Sequence, residues 1–451
     1  MRPTLPAGAC PTRKGVGWPS PLSPPMRTAL LAVLLVPAAL AQPTTSAWPE
    51  IRAERIARLL PEAMDRAEVD AWLILCREND NDPMARHVGC ENAGGEAAFL
   101  FFRTDDGLSP IAVSPAGEAT ALGELGVHDR VIEIERGAGV WPSVVALFDE
   151  HAPEAVAINR GSTPIADGLS STQYERMQAG LGDWMDRTVS AERLISEWLA
   201  VKTPAEVEIM REAAALTARW QEEAYAAAVP GVTTDRDIAD FLEARMAEAG
   251  VGDGWAPDQN PAVNSGRDRG HSHPTDRVIQ PGDFIQTDFG IRVGDMWVTD
   301  IQRFAYVLAP GETEPPAEAL ARWEAAKRGS RAAFEAMRPG ARGVDVDLAQ
   351  RAVMREDGSL PVMWSTGHPV GYWAHDSGPS LGGGQEGRTP SGRQLDVLRP
   401  GMTFAFDGFH AWPLEGDDTK TISVEEMVVI TDDGAEWLVP PQEDLILIPS
   451  R

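Results

Sequence analysis

Apolar positions along the chain follow two rhythms, and the rhythms alternate. Ile51–Ala67, IRAERIARLLPEAMDRA, repeats its apolar residues at helical spacing and predicts a helix. Val69–Cys76, VDAWLILC, is a short apolar run that predicts a strand. AAFLFF, IAVS, RVIEI and AVAIN follow as further strands, separated by Gly/Pro-rich turns and by helices such as WPSVVALFDEHA. Residues 48–189 thus read as a small α/β domain. It contains no Gly-rich phosphate loop and no dense cluster of acids and histidines.

A linker over Asp186–Ser190 leads into a second domain, 190–451, that opens with helices. AERLISEWLA, PAEVEIMREAAALTARWQEEAYAAA and TDRDIADFLEARMAEAG each carry one apolar stripe. Thr203 precedes Pro204, with Glu206 three residues on, which is a capping box with proline at the first helical position. Beyond Pro261 strands dominate, interrupted by the helical PPAEALARWEAAKRGSRAAFEAM. The predicted fold class is α+β, a smaller α/β domain followed by a larger mixed one.

The first 41 residues change the picture of where the protein resides. Met26–Ala41 has the form of a secretory signal: Arg27, the apolar run Ala29–Val36, and Ala39-Leu40-Ala41 as a cleavage site. The apolar run falls short of the roughly 20 residues a membrane-spanning helix needs. The expectation is an exported protein, periplasmic or secreted, with no stable membrane anchor after cleavage. The formal charge is −28, and the leader holds four basic residues and no acid, so the mature chain is more acidic still. Such a surface repels nucleic acid and anionic membranes. Cys10 lies in the leader, leaving Cys76 and Cys90, which in an exported protein either pair or remain two buried thiols. Neither sits in a C-x-x-C or Cys/His cluster, which argues against a zinc–thiolate site.

Candidate chemistry gathers in two strand pairs. GDFIQTDFGI and MWVTDIQRFAYV join through Val293-Gly294-Asp295, and with Gly294 at the apex Asp288 faces Asp300. GMTFAFDGF and TISVEEMVVIT bring in Asp407 and Glu425, whose midpoint is Gly416. Facing residues have Cβ atoms about 4.5–5.5 Å apart, so two bare carboxylates would repel until one took a proton. Divalent cations relieve that repulsion, and paired metals about 3.5–4 Å apart suit carboxylates at this spacing. Histidine supplies a nitrogen ligand or a proton carrier, and His271, His273, His368 and His375 fall in two short stretches, RGHSHPTD and TGHPVGYWAHDSG. Spacing does not tell ligand from proton carrier.

From about residue 190 onward the chain resembles the pita-bread metallopeptidases, the family of aminopeptidase P, prolidase, creatinase and methionine aminopeptidase. LAVKTPAEVEIMREAA and VPGVTTDRDIADFLEARM are similar to the opening helices of that catalytic domain. HSHPTDRVIQPGDFIQTDFG, TDIQR, GHPVGYWAHDSGP, RPGMTFAFDG and VEEMVVITDDG follow in the family's order. Residues 48–189 are similar in pattern to the creatinase-type N-terminal domain. The resemblance implies five metal ligands: Asp288, Asp300, His368, Asp407 and Glu425, with Glu426 as the neighbour a one-residue slip would exchange. It implies catalytic roles for His271 and His375, with His273 as fallback, and for Asp407 or Glu425 in moving a proton.

Three positions depart from the family pattern. Asp407-Gly408 stands where a glutamate and proline are usual, Ser423 where an arginine precedes the last glutamate, and Leu199 where the opening motif has an arginine. On the sequence alone, Asp407→Glu is expected to keep or raise activity. The implied activity is two-metal peptide hydrolysis before proline, with Mn²⁺ the expected metal and Co²⁺ or Zn²⁺ alternatives. Its partner is a peptide substrate, and relatives of this kind are often homodimers. The alternatives are a creatinase-type hydrolase of a non-peptide C–N bond and an inactive binding protein.

Overall fold

The computed structural model describes residues 47–79, 82–90, 95–105 and 107–450. The leader with its signal, Met26–Ala41, lies outside the described residues. Among these, no helix is long and apolar enough to cross a membrane.

The strand Ala71–Cys76 is apolar throughout because it lies inside a six-stranded sheet and is covered on both faces. It pairs antiparallel with Ala97–Thr104 and parallel with Val156–Ile158. Outward from Ala97–Thr104 come Gly107–Pro115 and Arg130–Ile134. Alternate side chains divide between two cores. Leu73, Leu75, Leu100 and Phe102 pack with Val144, Phe148 and Met177 of the helices Trp141–His151 and Ser171–Leu181. Trp72, Ile74, Phe99 and Phe101 pack with Leu60 and Met64. Those two belong to a continuous helical stretch, Trp48–Ala67, interrupted by one π-helical turn at Arg55–Leu59. The expected linker is partly strand, since Thr188–Ser190 pairs in parallel with Val156–Ile158 at the sheet edge. Cys76 and Cys90, both fully buried, are joined as a disulfide, which resolves the two readings of the sequence.

After the short helix Glu192–Ala200 the chain builds the same arrangement twice. Helices Pro204–Ala227 and Asp235–Ala249 precede a sheet ordered Ile446–Ile448, Ile301–Val307, Phe284–Phe289, Ala262–Ser265. Helices Ala317–Ala336 and Gly343–Glu356 precede a second sheet ordered Gly367–Pro369, Thr403–Pro413, Thr419–Thr431, Gly434–Trp437. The expected capping box is present: Thr203 Oγ1 accepts from the Glu206 N–H and Glu206 Oε2 from the Thr203 N–H. Each sheet has a long helix behind it. Tyr225 Oη donates to the Arg303 carbonyl at 2.8 Å in the first. In the second, Gly408 lies so close to the helix Ala317–Ala336 that a Cβ there would stand 2.3 Å from the Ala326 carbonyl oxygen. With helices covering one face, a side chain on the other face is buried but borders a cavity, and that is where the acids are.

Candidate metal centre

The two hairpins differ in how they turn. Gly294 (φ 58°) and Asp295 (φ 56°) both take the left-handed conformation, and the Met296 N–H closes onto the Val293 carbonyl. Met296 is one residue more than a symmetric turn at Gly294 allows, so Val293 pairs with Trp297 and the symmetry point is Asp295. Asp288 therefore faces Gln302, not Asp300. Moving the apex by one residue moves the facing partner by two, so Asp300 stays on the same face, diagonal to Asp288. In the second hairpin Gly416 (φ 76°) is the midpoint, and Asp407 directly faces Glu425 as the spacing predicts.

Asp288, Asp300, His368, Asp407, Glu425, His271 and His375 all border one cavity of about 1160 Å³. His273 does not border it, and its ring is exposed. His368 Nε2 lies 3.8 Å from Asp300 Oδ2 and 3.6 Å from Glu425 Oε1, three donors close enough to share one ion. Asp288 Oδ2 is 2.8 Å from His271 Nδ1 at the cavity mouth. His375 packs edge-on against His368, with ring centres 4.2 Å apart. Glu426 turns to the opposite face, bound by Arg303 Nη1 at 3.0 Å and the Gln442 N–H at 2.7 Å. The slip that would exchange Glu425 and Glu426 does not occur.

Burial makes this set of acids unstable as bare anions. Asp288, Asp300, Asp407 and Glu425 are each less than a tenth exposed. Loss of water raises the Asp300 carboxyl well above its usual range, and Glu425, Asp288 and Asp407 push it further. Burial and then Glu425 and Asp288 do the same to Asp407. Burial, with Asp288 beside it, lifts Glu425 to about 8. Burial lowers His368 to about 3, which leaves a neutral imidazole, the form that binds metal. Four carboxylates and one neutral imidazole around a common space are a donor set fitted to divalent cations that favour oxygen.

A buried scaffold holds the loop that carries His375. Lys202 Nζ pairs with Asp376 Oδ2 at 3.1 Å, and Asp376 Oδ2 accepts the Tyr372 N–H at 2.9 Å. Tyr372 Oη donates to Glu206, which pairs with Arg55 Nη1 at 2.8 Å. Arg55 also donates to the carbonyls of Trp198 and Val201, on either side of Leu199. The N-terminal helical stretch thus brings a cation to the backbone on either side of Leu199.

Sequence reasoning missed several cavity residues. Gln302 lies two residues past Asp300 and points the same way, a fact hidden until the register is known. Arg292 and Arg393 also border the cavity, and among the described residues neither has a carboxylate within ion-pair distance. Arg393 bonds instead to the carbonyls of Gly378 and Asp376. Trp364 and Trp373 add an apolar rim. No periodicity marks these loop positions.

The chain is similar to known proteins over the region that carries this site. The sequence profile of metallopeptidase family M24 matches residues 208–432, which span both hairpins and every candidate ligand. A probable dipeptidase, PepE, of Mycobacterium tuberculosis is 28% identical over 293 residues, covering 64% of this chain and 72% of its own. The solved Xaa-Pro dipeptidase from Bacillus anthracis superposes with a TM-score of 0.63 at 19% identity, covering 88% of this chain and 99% of that one. The X-Pro aminopeptidase of Thermotoga maritima gives 0.62 at 21% identity over 86% and 100%. These structural matches extend over the N-terminal sheet as well, and they make the fold the pita-bread one with its smaller α/β partner. With the family profile spanning both hairpins, the chain belongs to metallopeptidase family M24.

Proposed function

We propose that this peptidase uses two divalent cations to remove an N-terminal residue that precedes proline, from dipeptides and short peptides. The observation that carries the reading is the convergence of four buried carboxylates and one neutral imidazole on a single cavity. Asp288 and Asp300 would hold one cation and His368 and Asp407 the other, with Asp300 and Glu425 shared. Bound there, the cations would lower the pKa of water and polarise the scissile carbonyl. Mn²⁺ suits the oxygen-rich set, with Co²⁺ and Zn²⁺ as alternatives.

The chain's own groups do the rest. His271, its Nδ1 held by Asp288, has Nε2 left to meet the carbonyl or the leaving amine, and His375 borders the same space. Asp407 or Glu425 would take the proton of the attacking water and pass it to the amine. Ser423 offers no charge to a substrate carboxylate, and Arg393, which has Asp376 and Asp396 nearby but no ion pair among the described residues, is placed to supply it. A cavity of about 1160 Å³ admits a short peptide, and the Trp364–Trp373 rim suits a proline ring. The relatives' names, dipeptidase and X-Pro aminopeptidase, support a substrate of this size. An exported enzyme is consistent with the Cys76–Cys90 disulfide, since disulfides persist mainly in oxidising compartments. A homodimer is proposed on the resemblance alone.

Two measurements test this. Purified protein should carry about two divalent cations per chain. A chelator should abolish cleavage of an Xaa-Pro peptide and added Mn²⁺ restore it. Cleavage that persists in excess chelator overturns the mechanism, and metal-free protein favours the non-peptide hydrolase or the inactive binding protein.

A further inference from the structure

Two of the three departures from the family pattern, Asp407 and Ser423, touch the same side chain. Gln302 is buried, borders the cavity and faces Asp288 across the first hairpin. Its amide nitrogen donates to Glu425 Oε2 at 3.0 Å and reaches Asp407 Oδ1 at 3.4 Å. Its amide oxygen accepts from Ser423 Oγ at 2.7 Å and from Gln286 Nε2 at 2.5 Å. Gln286 Nε2 donates to Ser423 Oγ as well, at 3.1 Å, closing a triangle. The amide therefore has one orientation: turning it over would aim nitrogen at donors and oxygen at carboxylates.

This arrangement explains the substitutions as a set. Asp407 directly faces Glu425, and two facing carboxylates repel. The positive end of the Gln302 amide stands between them. Asp407 is one methylene shorter than glutamate, which leaves room for that amide. Ser423 is small enough for Gln286 and Gln302 to meet over it, where a long cationic side chain would fill the space.

We infer that Gln302 is a positioning residue that seats the Asp407–Glu425 carboxylate pair for cation binding, and that its length is matched to the short Asp407. The inference rests on the metallopeptidase reading above. It reverses the expectation from sequence for Asp407→Glu, because the longer carboxylate would run into the Gln302 amide.

The test is calorimetric titration of chelator-stripped protein with Mn²⁺ alone, so that it reads binding and not turnover. Gln302→Met keeps the length and removes the amide. It should weaken Mn²⁺ binding about tenfold, the usual scale for losing a group that orients a ligand. Gln302→Ala and Asp407→Glu should each weaken binding, whereas the double variant should return to within about threefold of the parent, as coupled neighbours do. Unchanged affinity in Gln302→Met, or single effects that simply multiply in the double variant, overturns the inference and leaves the peptidase reading standing. A parent protein that takes up no Mn²⁺ overturns both.

Discussion

Individual side chains explain why this site is only partly legible in sequence. Asp288, Asp300, His368, Asp407 and Glu425 sit in motifs whose residue types suffice to nominate them. Glu425 and Glu426 are adjacent and chemically alike, and only the strand face separates the cavity acid from the one paired with Arg303. Arg393 has no motif at all, since its place depends on a loop folding back to the Asp376 and Gly378 carbonyls. It carries a specific prediction. In Arg393→Ala the KM for an Xaa-Pro dipeptide should rise about tenfold or more, while a C-terminally amidated substrate is affected little, the pattern of lost carboxylate binding. Equal changes for both substrates would assign Arg393 a purely structural role.

At the scale of elements, symmetry was a good guide in one hairpin and a misleading one in the other. The Thr403–Thr431 pair keeps one unshifted register from Thr403–Val429 to Pro413–Thr419, so the midpoint Gly416 returns the true pairing. The first hairpin inserts Met296, and sequence offers no sign of such a bulge because any residue type fills it. Faces survived the error because the partner shifted by an even number of residues. The contact between strand and helix at Gly408 was equally invisible, although the glycine itself was noted as a departure. Adding a methyl there must displace the helix backbone, so Gly408→Ala should destabilise the fold by about 1–3 kcal/mol. A denaturant midpoint equal to the parent's would show that the helix Ala317–Ala336 yields without cost.

For the whole molecule, composition argued against nucleic-acid partners without naming a substrate, and the acids that matter are a small buried minority of an acidic chain. Their environment sets a pH dependence opposite to that of ordinary salt-bridged carboxylates. Asp300, Asp407 and Glu425 all have folded-state pKa values raised above the unfolded ones, chiefly by burial. The unfolded chain thus binds fewer protons, and their contribution to stability is complete below about pH 4 and lost as pH climbs toward the Glu425 value of about 8. The buried His87, His128 and His368, held neutral, act in the opposite sense up to about pH 6.5, so chelator-stripped protein should show a Tm that falls between about pH 6.5 and 8, and saturating Mn²⁺ should flatten that slope. A stripped protein whose Tm rises across this interval would mean that the acids are already neutralised by something else.

The guanidinium of Arg55 gives the N-terminal sheet domain a role that its lack of motifs conceals. Residues 190–451 alone would retain every proposed ligand, yet take from the buried Glu206 its ion-pair partner, leaving it the Lys202 charge and the hydrogen bonds of Thr203, Trp297 and Tyr372. Tyr372 would lose the guanidinium that lies over its ring, and with it one restraint on the loop that carries His375. The N-terminal helical stretch thus supplies a counterion to the M24 half, and residues 190–451 expressed alone should unfold at a lower denaturant midpoint than the full chain.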